Sequence, residues 1–328
     1  MNRNLEEPKV TIGITSYNSE KTILRAINSA LNQTWSNKEI IIVDDGSIDS
    51  SKLLIKKAIK GKRINFYNHS ENKGTSFSRN QIIKNSNSEL ICFMDDDDYS
   101  DPQRIQKQVI QIIKSGYPKK ELIACCTGIK KVYKNGYEKV LYPLGSNGRS
   151  PYGNELADFL LYFDKKKGVD YGFSLPTCCL MITKKCFEKF GYFDNNLQRV
   201  EDMDLSIRLS MGETIFTSVR EILVIQNANI FSKEGSLKNF KSELILINKY
   251  KDYLVHKKVF EYSLLWTNLR FNYFQFKYKK CIMIFIKLFY KKPFRTISHI
   301  LQTGRKRIFH DFKNNSISFS KFFKQNSF

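Results

Sequence analysis

Four consecutive aspartates, Asp95-Asp96-Asp97-Asp98, follow directly on the apolar run Leu90-Ile91-Cys92-Phe93-Met94. Like charges at that spacing repel and raise one another's proton affinity, a cost that a divalent cation relieves. An oxygen donor set without His or Cys beside it suits Mg²⁺ or Mn²⁺ rather than Zn²⁺, and such ions complete their shells with water and substrate phosphates. Read alone, the run could also be an acidic loop capping the next helix. Two other polar clusters share its placement after an apolar run, Thr15-Ser16-Tyr17-Asn18 and Asp44-Asp45-Gly46-Ser47. Asp-Asp-Gly-Ser by itself is a common turn and N-cap, and a lone Tyr17 is more often a packing residue. Much later, Glu201, Asp202 and Asp204 open a helical pattern. A carboxylate there can take a proton from an attacking hydroxyl or favour the helix N-terminus electrostatically, and Arg208, one turn on, can pair with Asp204. His69, His256, His299 and His310 form no ligand spacing, and Cys178-Cys179 sits in an apolar run that reads as a core strand.

These clusters need elements to hold them. Val10 to Thr15, Glu39 to Val43, Arg63 to Tyr67 and Leu90 to Met94 read as buried strands. Between them, Ile23, Ala26, Ile27, Ala30 and Leu31, then Leu53, Leu54 and Ala58, then Phe77 to Ile83 fall at helical spacing. Strand and helix in alternation imply βαβ crossovers and a mostly parallel sheet, with ligands at the carboxyl ends of its strands. Those ends are where the three polar clusters fall. A helix after Pro102, a strand at Leu122 to Gly128, a hairpin turned by Asn135-Gly136 as a type I′ turn, a short helix ending at Phe190-Gly191 and a helix from Glu201 to Met211 follow. Past Phe231 the pattern is helical, and Glu261 to Lys279 with Cys281 to Lys291 resembles one tetratricopeptide-like hairpin. Such a unit alone cannot bury its face, so it must pack on the rest of the chain, a membrane or a partner.

The 328 residues carry 54 Lys+Arg against 32 Asp+Glu, a net charge of +22. Residues 233–328 hold 21 of the bases and only 5 of the acids, along with 21 of the 44 aromatic residues. Lysines interleaved with Phe and Tyr suit an anionic membrane surface or nucleic acid, or a solvated Lys-rich helical face. Membrane is favoured over nucleic acid by the carboxylate clusters of the first part. The 41% hydrophobic content supports a core. The odd count of seven cysteines and the polar start Met1 to Glu7 lead us to expect reduced thiols and no secretory leader. Apolar runs such as Cys281 to Ile286 are far short of a membrane span.

Taken together, the clusters resemble the family 2 glycosyltransferases of the GT-A fold over roughly residues 8 to 230. The carrying residues are Val10 to Asn18, Ser29 to Thr34, Ile42 to Asp49, Asn72-Lys73-Gly74 with Arg79-Asn80, Phe93 to Asp98 with Pro102 and Arg104, and Glu201 to Leu205. Ser16 departs from the Tyr that many members carry after a Pro-Thr pair. The resemblance implies an α/β GT-A (Rossmann-like) domain over residues 1–232, with a nucleotide-binding half at about 8–100 and an acceptor half at 101–232. A basic, aromatic-rich helical region, 233–328, follows. It implies a nucleotide-sugar donor, expected to be UDP-linked. In that pocket Asp45 would bond the uracil N3-H, Tyr17 would stack on the base and Thr15 would line the wall. Asp95-Asp96-Asp97 would be the DXD motif, with Asp97 the metal ligand for Mn²⁺ or Mg²⁺ and Asp95 or Asp96 facing ribose or metal-bound water. The run of four leaves the register open by one, and the distance to Pro102 selects Asp97. Arg79 would lie near the pyrophosphate or serve as an ion-pair partner. Asp202 would be the general base of an inverting transfer, with Glu201 and Asp204 as acceptor-side candidates. The implied acceptor is a glycan or glycolipid in surface polysaccharide synthesis, and the implied location is cytoplasmic, peripheral on the inner face of the plasma membrane. Donor-sugar contacts are expected from Ser174 to Cys179 and from Arg199. Nucleotidyl transfer on a related architecture would need a Gly-rich phosphate loop after the first strand, which Thr15-Ser16-Tyr17-Asn18 is not.

Overall fold

The computed structural model describes residues 7–228 and 233–313. The polar start at 1–6, the expected boundary at 232 and residues 314–328 of the basic region lie outside them. The chain forms two compact units. One takes in residues up to 131, 139–160 and 164–227; the other takes in 132–138, 161–163 and 228 onward.

The first unit is built on a sheet. Strands β1 (Val10–Ser16), β2 (Lys38–Asp44), β3 (Ile64–Asn68) and β4 (Leu90–Asp95) pair in parallel in the order β3-β2-β1-β4. Helices α1 (Ile23–Leu31), α2 (Ser51–Ile59) and α3 (Thr75–Asn85) connect them, as the alternation predicts. β1, most of β2 and most of β4 are buried on both faces, which is why they read as continuous β-branched runs rather than alternating ones. Ile12, Ile14, Ile23, Ile27 and Ile42 share one core; Ile41, Val43, Ile82, Ile83 and Phe93 share the other.

Antiparallel pairing begins after β4. After β5 (Asp98–Ser100) and α4 (Arg104–Lys114) come β6 (Ile123–Tyr133), β7 (Glu138–Leu141), α5 (Glu155–Tyr162) and β8 (Leu180–Thr183). The unit continues through α6 (Lys184–Phe190), α7 (Glu201–Met211) and β9 (Ile215–Ala228). β8 lies antiparallel between β4 and β6, and β9 returns antiparallel against β5. The fold is GT-A.

Two local expectations need correction. Cys178 and Cys179 lie on a 3₁₀ turn, Thr177–Cys179, that leads into β8, not on the strand itself, because Pro176 immediately before it cannot donate to a ladder. The Asn135-Gly136 turn is not type I′: only Gly136 has positive φ (78°), and the Gly136 N–H donates to the Tyr133 carbonyl at 2.9 Å while the Tyr133 N–H donates to that of Tyr137. That is a type I turn closed by a glycine bulge, since Asn135 stays on the ordinary side of φ.

The second unit is helical: α8 (Lys233–Lys249), α9 (Lys251–His256), α10 (Phe260–Phe274), α11 (Tyr278–Lys291) and α12 (Pro293–Lys313). α10 packs on α8 and on α11, giving the expected helical hairpin. Its interior holds Leu246, Ile247, Leu254, Tyr262, Leu288 and His299, whose ring lies flat on Trp266 and whose Nδ1 meets the Tyr262 hydroxyl at 3.0 Å. No described helix is long and apolar enough to cross a membrane.

Candidate active site

A cavity of about 520 Å³ opens at the carboxyl ends of β1, β2 and β4. Thr15, Tyr17, Asp45, Arg79, Asp95, Asp96, Asp97, Glu201 and Asp202 all line it. Residues from opposite ends of the unit's sequence thus meet at one surface, because parallel strands deliver their C-termini to one sheet edge and α7 begins there.

Each position has a local cause. The Asp45 N–H donates to the Ser16 carbonyl at 2.8 Å, locking the β1 and β2 ends together. Its buried carboxylate accepts from His69 Nδ1 (2.7 Å), the Lys73 N–H (3.0 Å) and the Gly74 N–H (2.8 Å). Oδ2, which takes only the Gly74 bond among the described residues, keeps acceptor capacity on the cavity wall. Two glycines make this possible. Gly74 enters α3 at φ 93°, and at Gly46 (φ 76°) an added Cβ would meet the Glu71 backbone at 2.4 Å. Val200 stands at φ 59°, a strained conformation for a β-branched residue, immediately before α7 turns Glu201 and Asp202 to the cavity.

The four aspartates diverge. Asp96 accepts from the Tyr17 N–H at 3.0 Å, and burial, opposed by that bond, pushes its carboxyl up to about 6. Asp97 is also raised, by burial and then by Asp95, and Arg25 donates to its carbonyl. Asp98 turns inward on β5, and burial followed by Asp95 and Asp97 pushes it up to about 8. Its Oδ1 is buried without a hydrogen-bond partner among the described residues. Donor atoms of Asp95, Asp98 and Cys178 lie within 4.8 Å of one another. The Cys178 thiol is held well above its usual range by its hydrogen bond to Cys179 and by burial, so it is no thiolate nucleophile. Crowded carboxyls with one orphaned oxygen fit a hard dication, which would supply the missing partner.

Arg79 is buried and bridges the two halves of the unit. Nη1 donates to Glu201 Oε1 at 2.6 Å and Nη2 to Asp95 Oδ1 at 3.2 Å, with the guanidinium over the Phe193 ring. Burial works against its charge, and Asp95 and Glu201 overcome it. Beside it, Asp202 accepts from the Met203 N–H at 2.7 Å; burial and then Glu201 push it up to about 6, with Arg79 opposing.

Asp204 does not join this surface. It is fully buried and accepts from Arg208 Nε at 2.9 Å, while Arg208 also donates to the Phe190, Gly191 and Tyr192 carbonyls. About half a helical turn separates the cavity-facing Asp202 from the core-facing Asp204. Asp98 stands in the aspartate run that the sequence marks, though its inward turn does not show there; sequence reasoning missed His69 under Asp45 and Lys131, Gln198 and Gln226 on the cavity wall. None carries a local signal, since each reaches the site through strand pairing or a loop. Arg199, Pro176, Thr177 and Cys178, expected near the donor sugar, do line the cavity.

Residues 11–159 match the model of glycosyl transferase family 2. An uncharacterized glycosyltransferase of Rickettsia typhi is 30% identical over 68% of this chain and 65% of its own length. Residues 11–159 are a family 2 glycosyltransferase domain. An Escherichia coli relative named as a UDP-Glc:alpha-D-GlcNAc-diphosphoundecaprenol beta-1,3-glucosyltransferase is 40% identical over 30% of this chain and 39% of its own length. Among solved structures, Staphylococcus aureus TarS 1–349 in complex with UDP matches at a TM-score of 0.52 and 16% identity, covering 70% of this chain and 63% of that one. TarS with UDP-GlcNAc matches at 0.53 and 14%, covering 80% of each. The chain spans 65% or less of the length of the curated relatives that head the comparison.

Proposed function

We propose that the protein is a metal-dependent inverting glycosyltransferase that moves a sugar from a UDP-linked donor to a hydroxyl of a lipid-linked or surface-polysaccharide acceptor. The observation that carries this reading is the single cavity lined by Tyr17, Asp45 and the aspartate run on one side and by Glu201 and Asp202 on the other. Asp45 binds the uracil through its open acceptor position, Tyr17 stacks on the base, and Thr15 lines the pocket. A bound Mn²⁺ or Mg²⁺, held by Asp97 as part of a DXD motif with Asp95 and Asp96 in reach, would neutralise charge developing on the departing diphosphate. Arg79 fixes Asp95 and Glu201 at set positions, so the donor side and the acceptor side keep register.

Asp202 accepts the proton of the acceptor hydroxyl as that oxygen bonds to the anomeric carbon. The bond from that carbon to the diphosphate breaks on the opposite face, which inverts the configuration. The Escherichia coli relative's named donor and TarS in complex with UDP support the choice of uridine. The basic region 233–328 supports action at the cytoplasmic face of the plasma membrane, with the enzyme peripheral to it. Hydrolysis of UDP-sugars that requires Mn²⁺ or Mg²⁺ and vanishes in Asp97→Ala is the expected result. Activity that survives both EDTA and that substitution would overturn the metal role.

A further inference from the structure

The helical unit presents an apolar row to solvent. α11 buries Leu288 and half-buries Ile284 and Phe285, yet its opposite side exposes Ile282 (60%), Met283 (61%), Ile286 (60%), Phe289 and Tyr290 (89%). At about 100° per residue these five span an arc of roughly 120°. Lys280, Lys287 and Lys291 fall together on one flank of that arc, and α11 contains no Asp or Glu. After Lys292, α12 continues the pattern with Phe294 (86%), Ile297 and Leu301 exposed at i, i+3 and i+7. Single exposed apolar residues are ordinary, but eight in two consecutive helices form a face that solvent disfavours.

We infer that the exposed face of α11, continued by Phe294, Ile297 and Leu301 of α12, is a docking surface for an anionic lipid bilayer, lying in the plane of the interface. Charge complementarity selects this occupant. An apolar stripe flanked by lysines matches acyl chains beneath anionic headgroups, and amphipathic Tyr290 suits the boundary. The helix is too short and too basic to span, so it seats shallowly. This deepens the proposed reading, resting on it only for the membrane-borne acceptor that gives such docking a purpose.

The test is co-sedimentation of the full-length protein with vesicles of phosphatidylcholine alone or mixed with phosphatidylglycerol. Binding to the anionic vesicles is expected. It should weaken at least about 100-fold in Ile282→Glu/Ile286→Glu/Tyr290→Glu, because the buried apolar area is lost. Lys280→Glu/Lys287→Glu should bind less and lose most of its salt sensitivity. A Tyr290→Trp variant should blue-shift on anionic vesicles, which reports insertion rather than surface adsorption. Metal-dependent UDP-sugar hydrolysis in solution should be unchanged in every variant, which also shows that they fold. If hydrolysis is absent throughout while vesicle binding follows the pattern, the glycosyltransferase reading fails and the docking surface stands. The inference is overturned if the triple variant binds as tightly as the parent, or if no composition binds. It is also overturned if the parent self-associates through this face and the triple variant is monomeric, since a second copy would then be the occupant.

Discussion

The two units handle charge in opposite ways. In the first, acidic groups converge inside a cavity: Asp95, Asp96 and Asp97 crowd one wall, Glu201 and Asp202 the other, and one buried guanidinium, Arg79, joins Asp95 to Glu201. In the second, basic groups spread over exposed helix surface beside apolar side chains, as on α11. Convergent like charges store repulsion that a dication or proton must relieve; dispersed ones keep their hydration and act as a screened field. The net +22 therefore describes neither the cleft nor its chemistry, and single substitutions should matter far more in the first unit than in the second.

The largest expected effect is Asp97→Ala, which should cut metal-dependent turnover by at least about 10³-fold, measured as release of UDP from a UDP-sugar. A loss below tenfold would place the metal on other carboxylates of the run. Next, Asp202→Asn should lower turnover about 10²- to 10⁴-fold while donor affinity, read by calorimetry, stays within a few-fold; near-normal turnover would remove the base assignment. Two residues on, Asp204→Ala should do the reverse. It takes the buried counter-charge away from Arg208, which keeps only its carbonyl acceptors, so stability should fall by about 3 kcal/mol in a denaturant melt, with kinetics of the folded fraction close to the parent's. A catalytic loss without destabilisation would break the distinction between the two carboxylates.

A smaller effect concerns pH. Asp202 acts as a base only when unprotonated, and its carboxyl is pushed up to about 6. Accordingly kcat/KM should fall about tenfold per pH unit below that value and level off above it. The limb should vanish in Asp202→Asn. The smallest effect belongs to the second unit: Lys287→Glu should shift thermal stability and solution hydrolysis negligibly, since the exposed side chain has no ion pair to lose among the described residues. A loss of turnover there would contradict the separation of roles.

Much of the fold was legible because its signals are local. β1, β2 and β4 are parallel strands buried over most of their length, so each reads as an apolar run, and Glu201–Met211 is a helix whose start is marked by its acids. The hairpin at Asn135-Gly136 was legible as a turn but not as a turn type, since the dipeptide tolerates positive φ at Asn without requiring it. The 3₁₀ turn at Thr177–Cys179 was not legible, because a short apolar stretch before a strand has the same composition as the strand.

Within the site, the sequence by itself determined which chemical groups exist and which strand ends carry them, because a continuous apolar run or a period-3.6 pattern fixes an element and the residue that follows it. Only the tertiary structure decided which groups meet. Asp98 faces Cys178 because β5 is pinned by β9 from more than 120 residues away, leaving its Oδ1 orphaned. Asp204 turns into the core while Asp202 faces the cavity, since two residues on a helix point about 200° apart. Asp95 and Glu201 share Arg79 because the antiparallel return of β8 against β4 brings the later part of the unit back to the parallel strands. Side-chain neighbours across a fold depend on strand order and register, which no short window of residues encodes.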